Sequence, residues 1–241
     1  MKYIYGPVRS RRLGNSLGIS TVPHKVCSFD CVYCQLKRTT EKTTKRKVYV
    51  KKNEILEELS VFFQNKPPDL KIDYITFSGS GEPTLNKSIG TLIRAVKAMT
   101  PIPVALITNS STLVDPNVRR EISGIALIVP SLNAVTQDVF EKIDRPAKGV
   151  RVEDIIDGLL KFKQEFKGKM WLEIMLVRGL NDSPGYLKRI KKITDLIKPD
   201  RIQVNSPVRP PVEHWVKSAS GASLKKAKEI FGDNCDILGM S

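Results

Sequence analysis

The sequence has few cysteines, few aromatic residues and no long apolar run. Only 4 of its 241 residues are cysteine, and three of those fall within the eight residues from Cys27 to Cys34. A secreted disulfide scaffold spreads more cysteines along a shorter chain, so that class is excluded. No apolar run approaches the roughly 20 residues that a membrane-spanning helix needs. The basic stretch Met1 to Arg12 has no apolar segment behind it, which excludes a secretory signal. Internal repeats and low-complexity tracts are also missing. What remains is the expectation of a soluble, cytoplasmic protein. A hydrophobic content of 41% suits a single domain over residues 1–241 with a sizeable core.

Acidic residues are scarce beside basic ones, 25 against 40, giving a formal charge of +15. Much of the excess lies in Lys37, Arg38, Lys42, Lys45, Arg46, Lys47, Lys51 and Lys52. Such a field attracts polyanions, above all RNA or DNA. Without aromatic stacking platforms it also fits a lysine-rich solvated surface. Both readings stand. The stretch follows the cysteines directly and is expected to form a basic rim.

From about residue 70, β-branched runs alternate with amphipathic stretches. Strands are expected at 17–22, 72–77, 104–108, 125–129, 170–177 and 201–205. Helices are expected at 87–99, 116–122 (capped by Asp115), from 136, and at 152–166. Two more fall at 183–197, with Ser183 as cap and Pro184 at its first position, and at 224–231. Six strands, each followed by a helix, predict an α/β fold with a parallel sheet and right-handed crossovers. Its active site belongs at the carboxyl ends of the strands. Residues 1–16 read as an N-terminal arm and 206–241 as a C-terminal segment closing the barrel.

Cys27, Cys31 and Cys34 have the spacing C-x3-C-x2-C. Thiolates so spaced converge on one iron–sulfur cluster from a single loop, and three thiolates leave one iron of a [4Fe–4S] cluster open for chemistry. A zinc knuckle completed by His24 is the competing reading. A long α/β body has little need of such a staple. Cys235 stands apart and reads as a buried thiol.

The expected strand 72–77 runs into Ser78-Gly79-Ser80-Gly81-Glu82-Pro83-Thr84-Leu85. Glycines at a strand's carboxyl end let backbone approach a ligand closely, and Glu82 offers a carboxylate to an ammonium group. An ordinary strand-to-helix turn has the same composition. Together, the C-x3-C-x-Y-C loop and Gly79–Pro83 resemble the signatures of the radical S-adenosylmethionine (SAM) superfamily. The resemblance covers nearly the whole chain. It extends to a wyosine-synthase-like subgroup of iron–sulfur oxidoreductases through Tyr5-Gly6-Pro7-Val8, Ser10–Gly14, Ser16-Leu17-Gly18, Cys34-Gln35-Leu36 and Val208-Arg209-Pro210-Pro211. Archaeal wyosine synthases carry a second cysteine cluster in an N-terminal extension. No cysteine precedes Cys27 here, which sets the chain apart from wyosine synthesis itself.

The resemblance implies a partial (β/α)6 barrel, a [4Fe–4S] cluster on Cys27, Cys31 and Cys34, and SAM as cofactor. It implies reductive cleavage of SAM to a 5′-deoxyadenosyl radical. It places Tyr33 beside the adenine and Gly79, Ser80, Gly81, Glu82 and Pro83 beside the methionine end. Asn109, Ser131, Asn133 and Asn205, at the ends of later strands, become candidate SAM contacts or plain turn residues. Glu173, inside an apolar strand, either faces SAM or pairs with a base. Arg9, Arg11, Arg12 and Arg209 either bind an anionic substrate or bridge the arm to the barrel. His214 and Trp215 read as packing or surface residues. With no flavodoxin-like domain fused, a separate ferredoxin- or flavodoxin-type electron donor is expected. The substrate is a tRNA or other RNA, a protein, or a small molecule; a non-catalytic zinc or RNA-binding protein is the reading outside enzymes.

Overall fold

The computed structural model describes residues 1–238. An antiparallel hairpin, β1 (Ile4–Ser10) and β2 (Gly14–Ile19), opens the chain. Two short strands, β3 (Val26–Cys27) and β4 (Glu41–Lys42), bracket the cysteine loop before α1 (Lys52–Asn65). There follow β5 (Tyr74–Phe77), a 3-10 turn (Pro83–Leu85), α2 (Ile89–Met99), β6 (Val104–Thr108), α3 (Pro116–Ile122) and β7 (Leu127–Pro130). Helices α4 (Gln137–Ile143) and α5 (Val152–Glu165) precede β8 (Lys169–Met175), α6 (Pro184–Ile197), β9 (Arg201–Asn205), α7 (Gly221–Phe231) and β10 (Cys235–Ile237).

The main sheet runs β1-β2-β5-β6-β7-β8-β9-β10, parallel from β2 onward. Six βα units therefore stand in chain order, as a partial barrel of six strands requires. The helices form where apolar residues recur at helical spacing. In α5, Val152, Ile155, Leu159 and Phe162 share the buried face. Starts are fixed by capping: Asp115 accepts from Asn117 N at α3, and Ser183 from Tyr186 N at α6.

The two faces of the sheet differ. Leu17, Ile75, Leu106, Ile128 and Leu172 face the helices in one large core. Residues of the opposite parity line the interior. There Leu13, from the β1–β2 turn, packs on Ala105, Leu127 and Val129. Burying such a side chain contributes about 1.5–3 kcal/mol, so Leu13 fills the amino-terminal end with apolar contact. Further along the strands the interior turns polar. Glu173 and Gln203 are register partners on β8 and β9, and Arg12 reaches in to pair with Glu173.

Some expectations shift. The first parallel strand lies at 14–19 rather than 17–22, because the chain leaves the sheet at Ser20 to enter the cysteine loop. The N-terminal arm is itself a strand, β1, held at its start by Glu58, whose carboxylate accepts from Tyr3 N and Ile4 N. The C-terminal segment adds α7 and β10 to the outer edge of β9; its residues 239–241 lie outside the described residues. No helix among the described residues is long and apolar enough to cross a membrane.

Candidate functional site

The cysteine loop lies across the carboxyl ends of the strands and is stitched to three of their loops. Lys25 N donates to Ser80 O (2.6 Å) and Glu82 N to Val26 O (3.1 Å), which joins the loop to the glycine turn after β5. Gly81 permits this approach: a Cβ there would stand 1.9 Å from Val26 O. Gly79 adopts φ +105° under the ring of Tyr5, whose hydroxyl meets Ser78 Oγ at 2.6 Å. Asn109, after β6, donates from Nδ2 to Ser28 Oγ (2.8 Å) and lies 3.5 Å from Cys27 Sγ. After β7, Asp30 N and Val32 N donate to Asp144 O and Ile143 O, and Ala147 N to Ser28 O.

Cys27, Cys31 and Cys34 are all half-buried and free of disulfides. Burial, and then the Glu82 carboxylate, push the Cys27 thiol up to about 12. Burial also raises Cys31 well above the ordinary thiol range, with Asp144 as the next cause. A bound metal centre would take both thiols as thiolates outright. Each sulfur has a polar neighbour: Asn109 for Cys27, Asp144 Oδ1 for Cys31 at 3.4 Å, and Lys25 Nζ for Cys34 at 3.1 Å. Among the described residues, no three His, Cys, Asp or Glu side chains converge closely enough for a single metal ion. His24 is exposed and joins no such group with the cysteines, so the geometry lends the zinc knuckle no support. Three soft, unpaired sulfurs on one half-buried loop fit a cubane, whose irons stand apart, rather than one tetrahedral ion.

Glu82 is 2% exposed. Its Oε1 accepts from Thr84 N, Thr84 Oγ1 and Thr108 Oγ1, and its Oε2 from Asn109 N. Burial raises its carboxyl while these bonds oppose the shift. A carboxylate has about four lone-pair sites, two on each oxygen, so Oε1 is saturated and Oε2 can take one more donor. Glu82 thus braces the ends of β5 and β6 and keeps one acceptor position in reserve.

The other expected residues fall into two groups. Tyr33 and Asn133 come together: Asn133 Nδ2 donates to Tyr33 OH (2.7 Å) and Asp144 Oδ1 (2.8 Å), while its Oδ1 accepts from Met175 N. Burial pushes the Asp144 carboxyl up to about 6, against hydrogen bonds from Asn133, Cys31 and Tyr33. Ser131 sits opposite Glu173 and its O accepts from Ser110 Oγ, while Asn205 Oδ1 accepts from Ser206 N. Glu173 takes the pairing reading through Arg12. Arg209 bonds Gln35 just after Cys34, and Glu213 pairs with Arg38 and Arg145 while its N–H reaches Val32 O. The C-terminal segment therefore ties down the cysteine loop. Trp215 is 51% exposed, and its side chain adds a hydrogen bond to Glu213.

Lys25, Asp144, Tyr5 and Glu213 were not legible as site residues. Asp144 and Glu213 meet the loop across more than a hundred residues of sequence, so no local pattern marks them. Tyr5 lay in a string shared with the subgroup, and Lys25 carried a signal as a basic residue two positions before the first cysteine.

The sequence profile of the radical SAM superfamily matches residues 21–189. A Brachyspira hyodysenteriae protein named GTPase Obg is 42% identical over 236 residues, covering 98% of this chain but 34% of that protein. The chain thus spans about a third of that relative, and its sequence contains no GxxxxGK[ST] phosphate loop. A UPF0026 protein of Methanocaldococcus jannaschii is 33% identical over 233 residues, 97% of this chain and 72% of that one. A probable dual-specificity RNA methyltransferase of Prochlorococcus marinus is 28% identical over 189 residues, 74% of this chain and 51% of that protein. Among solved structures, TYW1 with a lysine-pyruvate adduct bound aligns with a TM-score of 0.66 at 18% identity, over 91% of this chain and 74% of that one. The chain belongs to the radical SAM superfamily, in which a [4Fe–4S] cluster and SAM are the working cofactors, and groups there with the UPF0026 proteins.

Proposed function

We propose that this chain cleaves SAM reductively, releasing methionine and 5′-deoxyadenosine, and that it uses this chemistry to modify RNA. The observation that carries the reading is the stitch between the three-cysteine loop and the glycine turn. The cluster and SAM supply the electron transfer and the hydrogen abstraction. Cys27, Cys31 and Cys34 hold the cluster, and Asn109 and Asp144 fix the orientation of the loop. Gly79–Pro83 offers its backbone and the free side of Glu82 to the amino group of SAM. Tyr33, braced by Asn133 and Asp144, and the strand-end residues Ser131 and Asn205 form the rim for the nucleoside half. A ferredoxin- or flavodoxin-type protein supplies the electron.

Glu82→Gln tests the methionine end. It removes the charge yet leaves a carbonyl for the Thr84 and Thr108 donors, whereas alanine would strand three buried groups at about 1–3 kcal/mol each. A hydrogen bond to a charged group contributes about 1.5–3 kcal/mol, so SAM affinity should fall roughly ten- to hundredfold with iron content unchanged. Equal affinity in titrations of parent and variant would leave Glu82 only a brace.

The RNA reading is supported by the basic surface. Part of the stretch 37–52 is spent on local pairs: Arg46 on Glu121 and Thr84 O, Lys47 on Glu41, Arg38 on Asp30 and Glu213. Of the rest, Lys42 lines a groove of about 380 Å³ together with Arg145, Lys148 and Arg151, beside the segment that bonds the cysteine loop. Replacing Lys42, Lys148 and Arg151 by Gln should flatten the salt dependence of tRNA binding by roughly one unit of slope per lost phosphate contact. An unaltered slope in filter-binding or anisotropy assays would turn the reading toward other substrates.

A small molecule or protein is the second reading, favoured by one observation. Gln203 Oε1, inside the barrel, is buried without a hydrogen-bond partner among the described residues, an acceptor open to a donor. Anaerobic incubation with SAM, reductant and total tRNA separates the two. Stimulation of 5′-deoxyadenosine release by tRNA supports RNA; no stimulation favours the second reading.

A further inference from the structure

Among the described residues, Lys25 is the basic side chain that bonds a cysteine sulfur. The residue is 3% exposed, and its Nζ lies 3.1 Å from Cys34 Sγ. The same charge acts on Cys27, where it opposes the rise caused by burial. Lysine is rarely this buried unless paired, and the partner here is sulfur rather than a carboxylate.

The backbone holds the residue in this position. Lys25 adopts φ +60°, a left-handed conformation that a non-glycine residue keeps only when its surroundings fix it. They do so on both sides. Lys25 N donates to Ser80 O, and Lys25 O accepts from Thr40 N, Glu41 N and Thr40 Oγ1. The lysine is thereby clamped between the glycine turn and the start of β4.

A cation in this place acts on electron uptake. A [4Fe–4S] core of charge 2+ with three thiolates carries a net charge of −1, and one added electron makes it −2. A fixed positive charge within hydrogen-bond distance of a ligand sulfur stabilises the second state more than the first, and burial strengthens the effect by excluding water. We propose that Lys25 is a positioning residue that favours the reduced cluster through its contact with Cys34, easing electron transfer from the donor. This rests on the cluster assignment made above.

The test uses the reconstituted full chain and its Lys25→Gln and Lys25→Arg variants. The reduced fraction of the cluster is read by electron paramagnetic resonance at a series of poised potentials without SAM, and SAM affinity is titrated separately. Lys25→Gln should lower the reduced-to-oxidised ratio at a given potential about tenfold, equivalent to about 59 mV for a one-electron couple. Lys25→Arg should stay close to the parent. Should Lys25→Gln take up no iron while Lys25→Arg loads and titrates as the parent does, the lysine serves cluster assembly rather than reduction, and the inference falls. An unchanged ratio in a loaded Lys25→Gln overturns the inference. So does a loss confined to SAM affinity, which would assign the lysine to the carboxylate of SAM. Failure of both variants to load, beside a loaded parent, overturns it too by making the role steric. A parent chain that takes up no iron sinks the cluster assignment itself, a separate failure.

Discussion

Replacing Cys27, Cys31 or Cys34 by alanine is expected to abolish the brown colour, the iron content and SAM cleavage, each variant alone being enough. Each substitution leaves an iron of the cluster without its thiolate, and a [4Fe–4S] cluster with only two protein ligands is not retained. The loop itself should survive, because its position depends on backbone bonds from Lys25, Asp30, Val32 and Ala147 rather than on sulfur. Cys235→Ala is the matched control. That thiol is 1% exposed on β10, and burial raises it to about 11. Its loss should leave iron at the parent level, at a stability cost of at most about 1–3 kcal/mol for the altered packing. Iron and sulfide assays on anaerobically prepared protein decide the matter. Cluster loss in Cys235→Ala would contradict the three-ligand assignment.

Gly81→Ala should be nearly as damaging although it removes no thiolate from the cluster. An added Cβ at 1.9 Å from Val26 O and 2.8 Å from its carbonyl carbon meets backbone, which cannot swing aside. The Lys25–Cys27 segment would have to move, breaking Glu82 N to Val26 O and Lys25 N to Ser80 O and displacing Cys27 and Lys25 together. Iron uptake should fall several-fold and SAM binding with it, while the six βα units persist by circular dichroism. Gly221→Ala, at the first turn of α7 with no atom within 4 Å of the added Cβ, should have neither effect. Full iron content in Gly81→Ala would mean that the stitch between loop and turn is dispensable.

The regular parts of the fold were legible in the sequence because periodicity is local. Strands 104–108 and 201–205 and helix 116–122 lie where their patterns put them. Helix α1 was not among the helices that periodicity marked, although Ile55, Leu59 and Phe62 form a helical stripe; Lys52, Glu54 and Glu57, all exposed, dilute the apolar signal. β1 escaped because its residues alternate poorly and Gly6-Pro7 reads as a turn. Within the site, the cysteines and the glycine turn announce themselves by spacing. Their supports do not. Asp144 meets the loop only after four of the six barrel strands have passed, and Glu213 only after all six. The basic stretch misled in part: charge is visible in a sequence, but its pairing is not, and Arg46 turned out to brace Glu121.

Arg12 shows the same limit from the other side. Four arginines near the ends of the chain pointed equally to an anionic ligand and to bridging. The pairing of Arg12 with Glu173 gives one of them a bridging role. Arg209 takes another, on Gln35. Burial and the neighbouring Arg12 lower the pKa of Arg11, and Arg9 stays exposed.

The most direct measurement of the central claim is the release of 5′-deoxyadenosine when the reconstituted chain is reduced anaerobically in the presence of SAM. The account predicts 5′-deoxyadenosine and methionine in equal amounts, formed by the parent and by Cys235→Ala and absent in each of the Cys27, Cys31 and Cys34 alanine variants. Formation of neither product by a parent chain carrying about four irons, or formation undiminished in the three cysteine variants, would contradict it.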